Sequence, residues 1–324
     1  MGMPFGLDAV VAGGFAVAGV LIYAFVASAI GVLASNPLEA GTPRATRLDL
    51  TYFYLLLISL YAGAIYATSL WTQLTQVVLS ALVAVAFWQK AFDHLPYLLE
   101  PAEAPPPRLS LADGLVAAMG FMTLQTLVSL LLAQATDLPL GTRMLIAFTA
   151  AGALAGLGSL FFLRKVPGLL MATGVLVAPG EARPNFLQIV LPGVLAGVLA
   201  GAFGLVYLAI LNHFAELRAW KESYIVVLSP TQDAALFALV VLAAPLFEEF
   251  IFRGLIYRGM ERSLRPASAV LASAAIFAAV HPPVSVIPVF VLGIAAALSF
   301  RRSRLLWTPI ITHMVYNALV VSAG

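Results

Sequence analysis

Cysteine is absent from the 324 residues, and charge is scarce: Asp, Glu, Lys and Arg together supply 10% of the chain. The first absence excludes disulfides, thiolate nucleophiles and cysteine-held metals. The second excludes an ordinary soluble domain, which carries about 25% charged residues. A formal net charge of +2 gives no footing for nucleic acid as a partner. The opening MGMPFGLDAVVAGG lacks the basic start of a secretory signal, and its apolar stretch is too long for one. Gly2 is not followed by the Ser or Thr of a myristoylation signal, so the first apolar run reads as a retained span. The short alternating segments of a transmembrane β-barrel are missing, as is any internal repeat of the sort that builds inverted-repeat transporters. No G-x-S-x-G or S-x-x-K pattern stands out for serine chemistry, and no aspartates lie near the middle of the apolar runs for an aspartyl pair.

What is present is 62% hydrophobic, in continuous apolar runs. Candidate spans fall at about 8–34, 50–71, 73–92, 112–134, 143–163, 186–211, 232–257, 267–281, 284–300 and 305–322, and the last three are short enough that one need not cross fully. The predicted fold class is all-α, a polytopic transmembrane bundle of about 8–10 helices with the N-terminus outside. Basic residues fix that orientation. Fourteen fall on the inner side: Arg44, Arg47, Lys90, Arg108, Arg164, Lys165, Arg183, Arg253, Arg258, Arg262, Arg265, Arg301, Arg302 and Arg304. Three remain outside: Arg143, Arg218 and Lys221. The proline-rich LLEPAEAPPPRLS (98–110) reads as an inner linker dividing a three-span region, 1–97, from the main unit, 111–324. Gly193, Gly197 and Gly201, and again Gly152 and Gly156, recur at four-residue intervals, a spacing that brings helices close within the chain or, as the alternative, in a dimer.

Two acids stand where they are expensive. Glu248 and Glu249 lie inside the apolar run PLFEEFIFRG, and each charge there costs on the order of 3 kcal/mol on insertion scales. Arg253 is four residues from Glu249, on the same helical face, so an ion pair is ready-made. Glu248 points about 100° away and is left to face a cavity. The competing reading is a purely structural Glu–Arg pair.

The C-terminal runs supply further polar groups. His281 ends FAAVHPP, one turn after Phe277 and directly before two prolines, and His313 is followed four residues later by Asn317 on one face. At 1.5 Å rise per residue, Glu248 lies about 15 Å from the inner interface, His281 about 21 Å, His313 about 12 Å and Asn317 about 18 Å. The four can therefore meet near mid-membrane. A carboxylate, two histidines and an amide suit water activation: Glu248 as the base, a histidine to position water or protonate the leaving amine, and His313 with Asn317 as donors to an oxyanion.

EEFIFR (248–253), FAAVH (277–281) and HMVYN (313–317) together resemble the ordered motifs EExxxR, FxxxH and HxxxN of the CAAX-processing and bacteriocin-processing membrane proteins, over a core of about 240–320. The resemblance implies a glutamate-type intramembrane endopeptidase, with Glu248 activating water and His281 assisting. It further implies that His313 and Asn317 stabilise the oxyanion, and that Glu249 and Arg253 organise the site, with Phe277 in support. It implies no cofactor; zinc held by one Glu and two His is the less favoured alternative. The expected partners are a membrane-associated peptide or protein substrate and the lipid bilayer, and the expected location is an integral one, most simply a bacterial inner membrane. A non-proteolytic binding or immunity protein of the same family, and a proton or cation transporter, are the competing functions.

Overall fold

The computed structural model describes residues 108–132, 137–180, 184–222 and 234–323. The expected three-span region 1–97 and nearly all of the linker 98–110 lie outside them. The described residues form helices and no strands. The principal ones are α1 (Leu111–Leu132), α2 (Leu140–Phe162), α3 (Phe186–His213), α4 (Ala234–Glu261), α5 (Pro266–Ala279), α6 (Val286–Ser303) and α7 (Trp307–Ala323). Five of these, α1 to α4 and α6, are long and apolar enough to cross a membrane, and the chain is a polytopic helical membrane protein. Each begins or ends within a few residues of its apolar run, because in hydrocarbon a spanning segment must satisfy its own backbone and helix is the local way to do so.

Local chemistry sets the ends. Asn185 caps α3 in a reciprocal pair: its side chain accepts from Gln188 N at 2.9 Å, and its own N–H donates to Gln188 Oε1 at 2.9 Å. Pro266 opens α5, where a missing N–H costs nothing. Pro282 and Pro283 prevent α5 from continuing past Val280. Its 14 residues rise only about 21 Å, short of the ~30 Å hydrocarbon core, so α5 is the segment that stops within the bundle.

The turn that follows α5 is satisfied by protein. His281 N–H donates to Ala278 O at 3.1 Å and Ser285 N–H to Pro282 O at 2.8 Å. Tyr207 of α3 reaches across to donate its hydroxyl to Val284 O at 2.9 Å. Non-helical backbone inside a membrane protein is tolerated where protein supplies such partners.

Packing centres on α7, which lies against α3 along the glycine face. A Cβ at Gly197 would sit 2.6 Å from Thr312 O, and one at Gly193 2.8 Å from Thr308 O. These glycines thus serve packing within the chain, with α7 backbone in direct contact. Gly152 does the same for the Phe247 ring, whereas a Cβ at Gly156 would meet nothing within 4 Å. Gly156 shares the sequence spacing but not the contact.

The contrast is testable. Gly197→Val forces α3 and α7 apart and should destabilise the protein by about 1–3 kcal/mol, while Gly156→Val should be neutral. Thermal unfolding of the purified variants in detergent measures both, and equal midpoints would refute the packing account.

Candidate active site

Four helices converge on the two acids. Glu249 is fully buried in α4, and its Oε1 receives two charge-assisted bonds: Arg253 Nη1 at 3.0 Å and His313 Nδ1, from α7, at 2.9 Å. Arg253, also fully buried, uses Nη2 to donate to Gly293 O of α6 at 3.0 Å. Its guanidinium stacks over the Phe277 ring of α5, 4.5 Å from the centroid. A single ion pair thus ties α4 to α5, α6 and α7. Gly293 matters because a Cβ there would lie 2.8 Å from Ala274 Cα. Without a side chain, α6 comes close to α5 and its carbonyl reaches Arg253.

Phe277 occupies the middle. Its ring meets Phe252 at 4.9 Å, His281 at 4.7 Å and His313 at 5.5 Å between centroids, all in edge-on geometry. Such pairs contribute about 0.5–1.5 kcal/mol beyond area burial, and here they hold both imidazoles by their faces or edges.

Glu248 faces the other way. Its Oε2 is enclosed, makes no hydrogen bond within the protein, and lies 4.0 Å from Nε2 of His281 and 4.0 Å from Nε2 of His313. The partners of the opposite ring nitrogens fix the tautomers. His281 Nδ1 lies 2.7 Å from Phe277 O and His313 Nδ1 2.9 Å from the Glu249 carboxylate. Both partners are acceptors, so each Nδ1 carries a proton and each Nε2 turns toward Glu248. A 4.0 Å gap is too long for a direct hydrogen bond and suits one bridging water, which at ~2.8 Å from both atoms would subtend about 90°.

Asn317, expected at an oxyanion, donates its amide Nδ2 to Val240 O at 2.7 Å. The cause is in α4, which is not a uniform α-helix: Leu239–Ala243 and Phe250–Tyr257 are π-helical and bracket the two glutamates. Ala244 N–H bonds to Leu239 O, five residues back. In that register Val240 O falls to Pro245, which has no N–H. Asn317 provides the missing donor and so anchors α7 to α4 about two turns before Glu248. The signal was present as a proline three residues ahead of Glu248, but the widened register that gives it meaning was not readable. Glu249–His313 and Arg253–Gly293 were missed for a simpler reason: each joins helices far apart in sequence.

Among the described residues, no three His, Asp or Glu side chains are grouped closely enough to hold a metal ion.

Two variants separate the acids' surroundings. Arg253→Met leaves Glu249 charged and buried without its counter-ion and should cost about 3–5 kcal/mol, read as a large fall in the unfolding midpoint. Asn317→Ala should cost about 1–3 kcal/mol through the orphaned Val240 carbonyl, and Pro245→Ala in the same chain should restore part of that loss by supplying an N–H. No restoration in the double variant would sink the brace assignment.

Residues 230–319, which include every residue of this cluster, match the Rce1-like family, described as type II CAAX prenyl endopeptidase Rce1-like. The match covers under a third of the chain and agrees with the family recognised from the three motifs. No curated protein and no solved structure matches the chain. The segment is therefore similar to Rce1-like domains, consistent with the CAAX protease family, in a chain whose apolar helices are those of an integral membrane protein.

Proposed function

We propose that the protein is a glutamate-type intramembrane endopeptidase that hydrolyses a peptide bond in a membrane-associated peptide or protein. One observation carries the reading: an enclosed carboxylate oxygen of Glu248 set 4.0 Å from two Nε2 atoms whose rings are each locked by the opposite nitrogen. A structural ion pair would need Glu249 and Arg253 only. Glu248, with no counter-ion at contact distance, has no part in that bond.

The chemistry follows from these roles. A water between Glu248 and His281 gives a proton to the Glu248 carboxylate as its oxygen attacks the peptide carbonyl carbon. Negative charge moves to the carbonyl oxygen. His313, protonated at Nε2, donates to that oxyanion, and the Glu249 carboxylate behind Nδ1 holds the ring in place. The proton held by Glu248 then passes to the leaving nitrogen as the C–N bond breaks, giving a carboxylic acid and an amine. Asn317 acts at one remove in this scheme, by holding α7 in register with α4. Arg253, bonded to Glu249 Oε1 and stacked on Phe277, engages the inner acid and leaves Glu248 to the water.

Glu248→Gln tests the assignment because it exchanges one carboxylate oxygen for an amide NH2 without removing volume. Cleavage of a prenylated CAAX-type test peptide by the reconstituted protein should fall at least ~10²–10⁴-fold, with the unfolding midpoint unchanged. A variant that stays active, or one that unfolds, would overturn the role of general base. The zinc alternative gives a different result. A strong chelator should leave the activity intact, and inactivation reversed by added zinc would transfer Glu248 and the histidines to a metal site.

A further inference from the structure

The opposite feature of the molecule lies at the end of the bundle where the arginines gather. A cavity of about 880 Å³ opens there between the 171–178 connection, the start of α3 and the α6–α7 turn. Arg258, Arg302 and Arg304 line it, and among the described residues no acidic one does. Glu261, just outside, accepts from Arg258 Nη1 at 2.8 Å and from Arg304 Nη1 at 2.7 Å, so it offsets one of the three charges and leaves the cavity positive. Arg258 Nε is buried there without a hydrogen-bond partner. Arg304 takes a left-handed backbone, φ 60°, at the C-terminus of α6, where glycine is the usual residue. An arginine is thus retained where its backbone is disfavoured, and the turn holds its guanidinium at the cavity.

The other wall is apolar. Leu187 and Leu191, 68% and 54% exposed, line the cavity and continue it onto the outer face of α3, where Leu195 is 54% exposed. A ligand fitting both walls has an anionic head and a hydrocarbon tail. An inorganic phosphate would use only the arginines, and an acidic peptide would leave its polar backbone against the leucines. The volume also exceeds what one phosphate fills and lies within the range of about 300–1,000 Å³ typical of small-molecule sites.

We infer that this cavity binds the phosphate headgroup of an anionic phospholipid, with its acyl chains lying along the Leu187–Leu191 face of α3. Basic pockets between helices at the positively charged side of a membrane protein are built for such headgroups. The sequence reading puts these arginines on the inner side, where anionic lipid is encountered. The site is separate from the Glu248 cluster, although Arg258 lies on α4, the helix that carries it. A headgroup bridging Arg258 and Arg302 ties the end of α4 to the last turn of α6.

The test uses the full-length protein in detergent, titrated with phosphatidylglycerol or phosphatidylcholine, with bound lipid counted by native mass spectrometry. Phosphatidylglycerol should be retained in preference to phosphatidylcholine. R302Q should lower that retention about fivefold and R258Q with R302Q further, each arginine being worth roughly that factor near an anionic lipid. R218Q, on the short helix Ala215–Glu222 after α3, should change nothing. Thermal unfolding checks that R302Q is folded, and phosphatidylglycerol should raise the wild-type midpoint more than that of R302Q. Equal retention of the two lipids would overturn the inference, as would retention unaffected by R302Q. Displacement of the lipid by inorganic phosphate or by an acidic peptide at equal concentration would assign the cavity to that ligand instead. Neither result depends on whether the protein cuts peptides.

Discussion

The buried contact between Glu249 and Arg253 governs the architecture around it. Neither side chain touches solvent, and in a medium without water each charge must be answered inside the protein. The answers come from three different helices: an imidazole of α7, a carbonyl of α6 and an aromatic ring of α5. Helices with a common apolar surface have little reason to prefer one register, since lipid and neighbour are equally apolar. A charged pair with directional partners does impose a register. The polar centre therefore selects one arrangement of α4 to α7 among many that would bury similar area.

The same demand separates two glutamates that are adjacent in sequence. Glu249 is consumed by structure, and Glu248 is directed into the space between two histidines. Both histidines present Nε2 because an acceptor holds each Nδ1, and those acceptors differ. One is the Glu249 carboxylate of α4, the other the Phe277 carbonyl of α5. Two chemically identical rings are thereby held in different surroundings.

Irregular backbone does much of the positioning. Pro245 and the π-helical turns around it leave a carbonyl that Asn317 must answer, and Pro282–Pro283 end α5 so that His281 sits at its tip. Tyr207 stabilises the resulting turn from α3. Each irregularity is paired with a specific donor elsewhere in the bundle, so the departures from ideal helix are also cross-links between helices. The close glycine contacts of α3 against α7 then place the backbone next to His313 against a rigid neighbour.

Much of this was legible in the sequence. Hydropathy gave the helices of the described region and the early end of α5, because spanning segments are dictated by solvent and length. The cost of burying charge singled out Glu248 and Glu249, helical spacing paired Glu249 with Arg253, and three short motifs pointed to the family whose model matches 230–319. The tertiary structure decided what spacing along one helix cannot encode. It decided that His313 answers to Glu249, that Asn317 braces Val240, that Gly193 and Gly197 pack where Gly156 does not, and that arginines from α4 and the α6–α7 turn surround one cavity. Those outcomes depend on the rotation and register of one helix against another. A one-dimensional pattern leaves both open until the buried polar groups have chosen their partners.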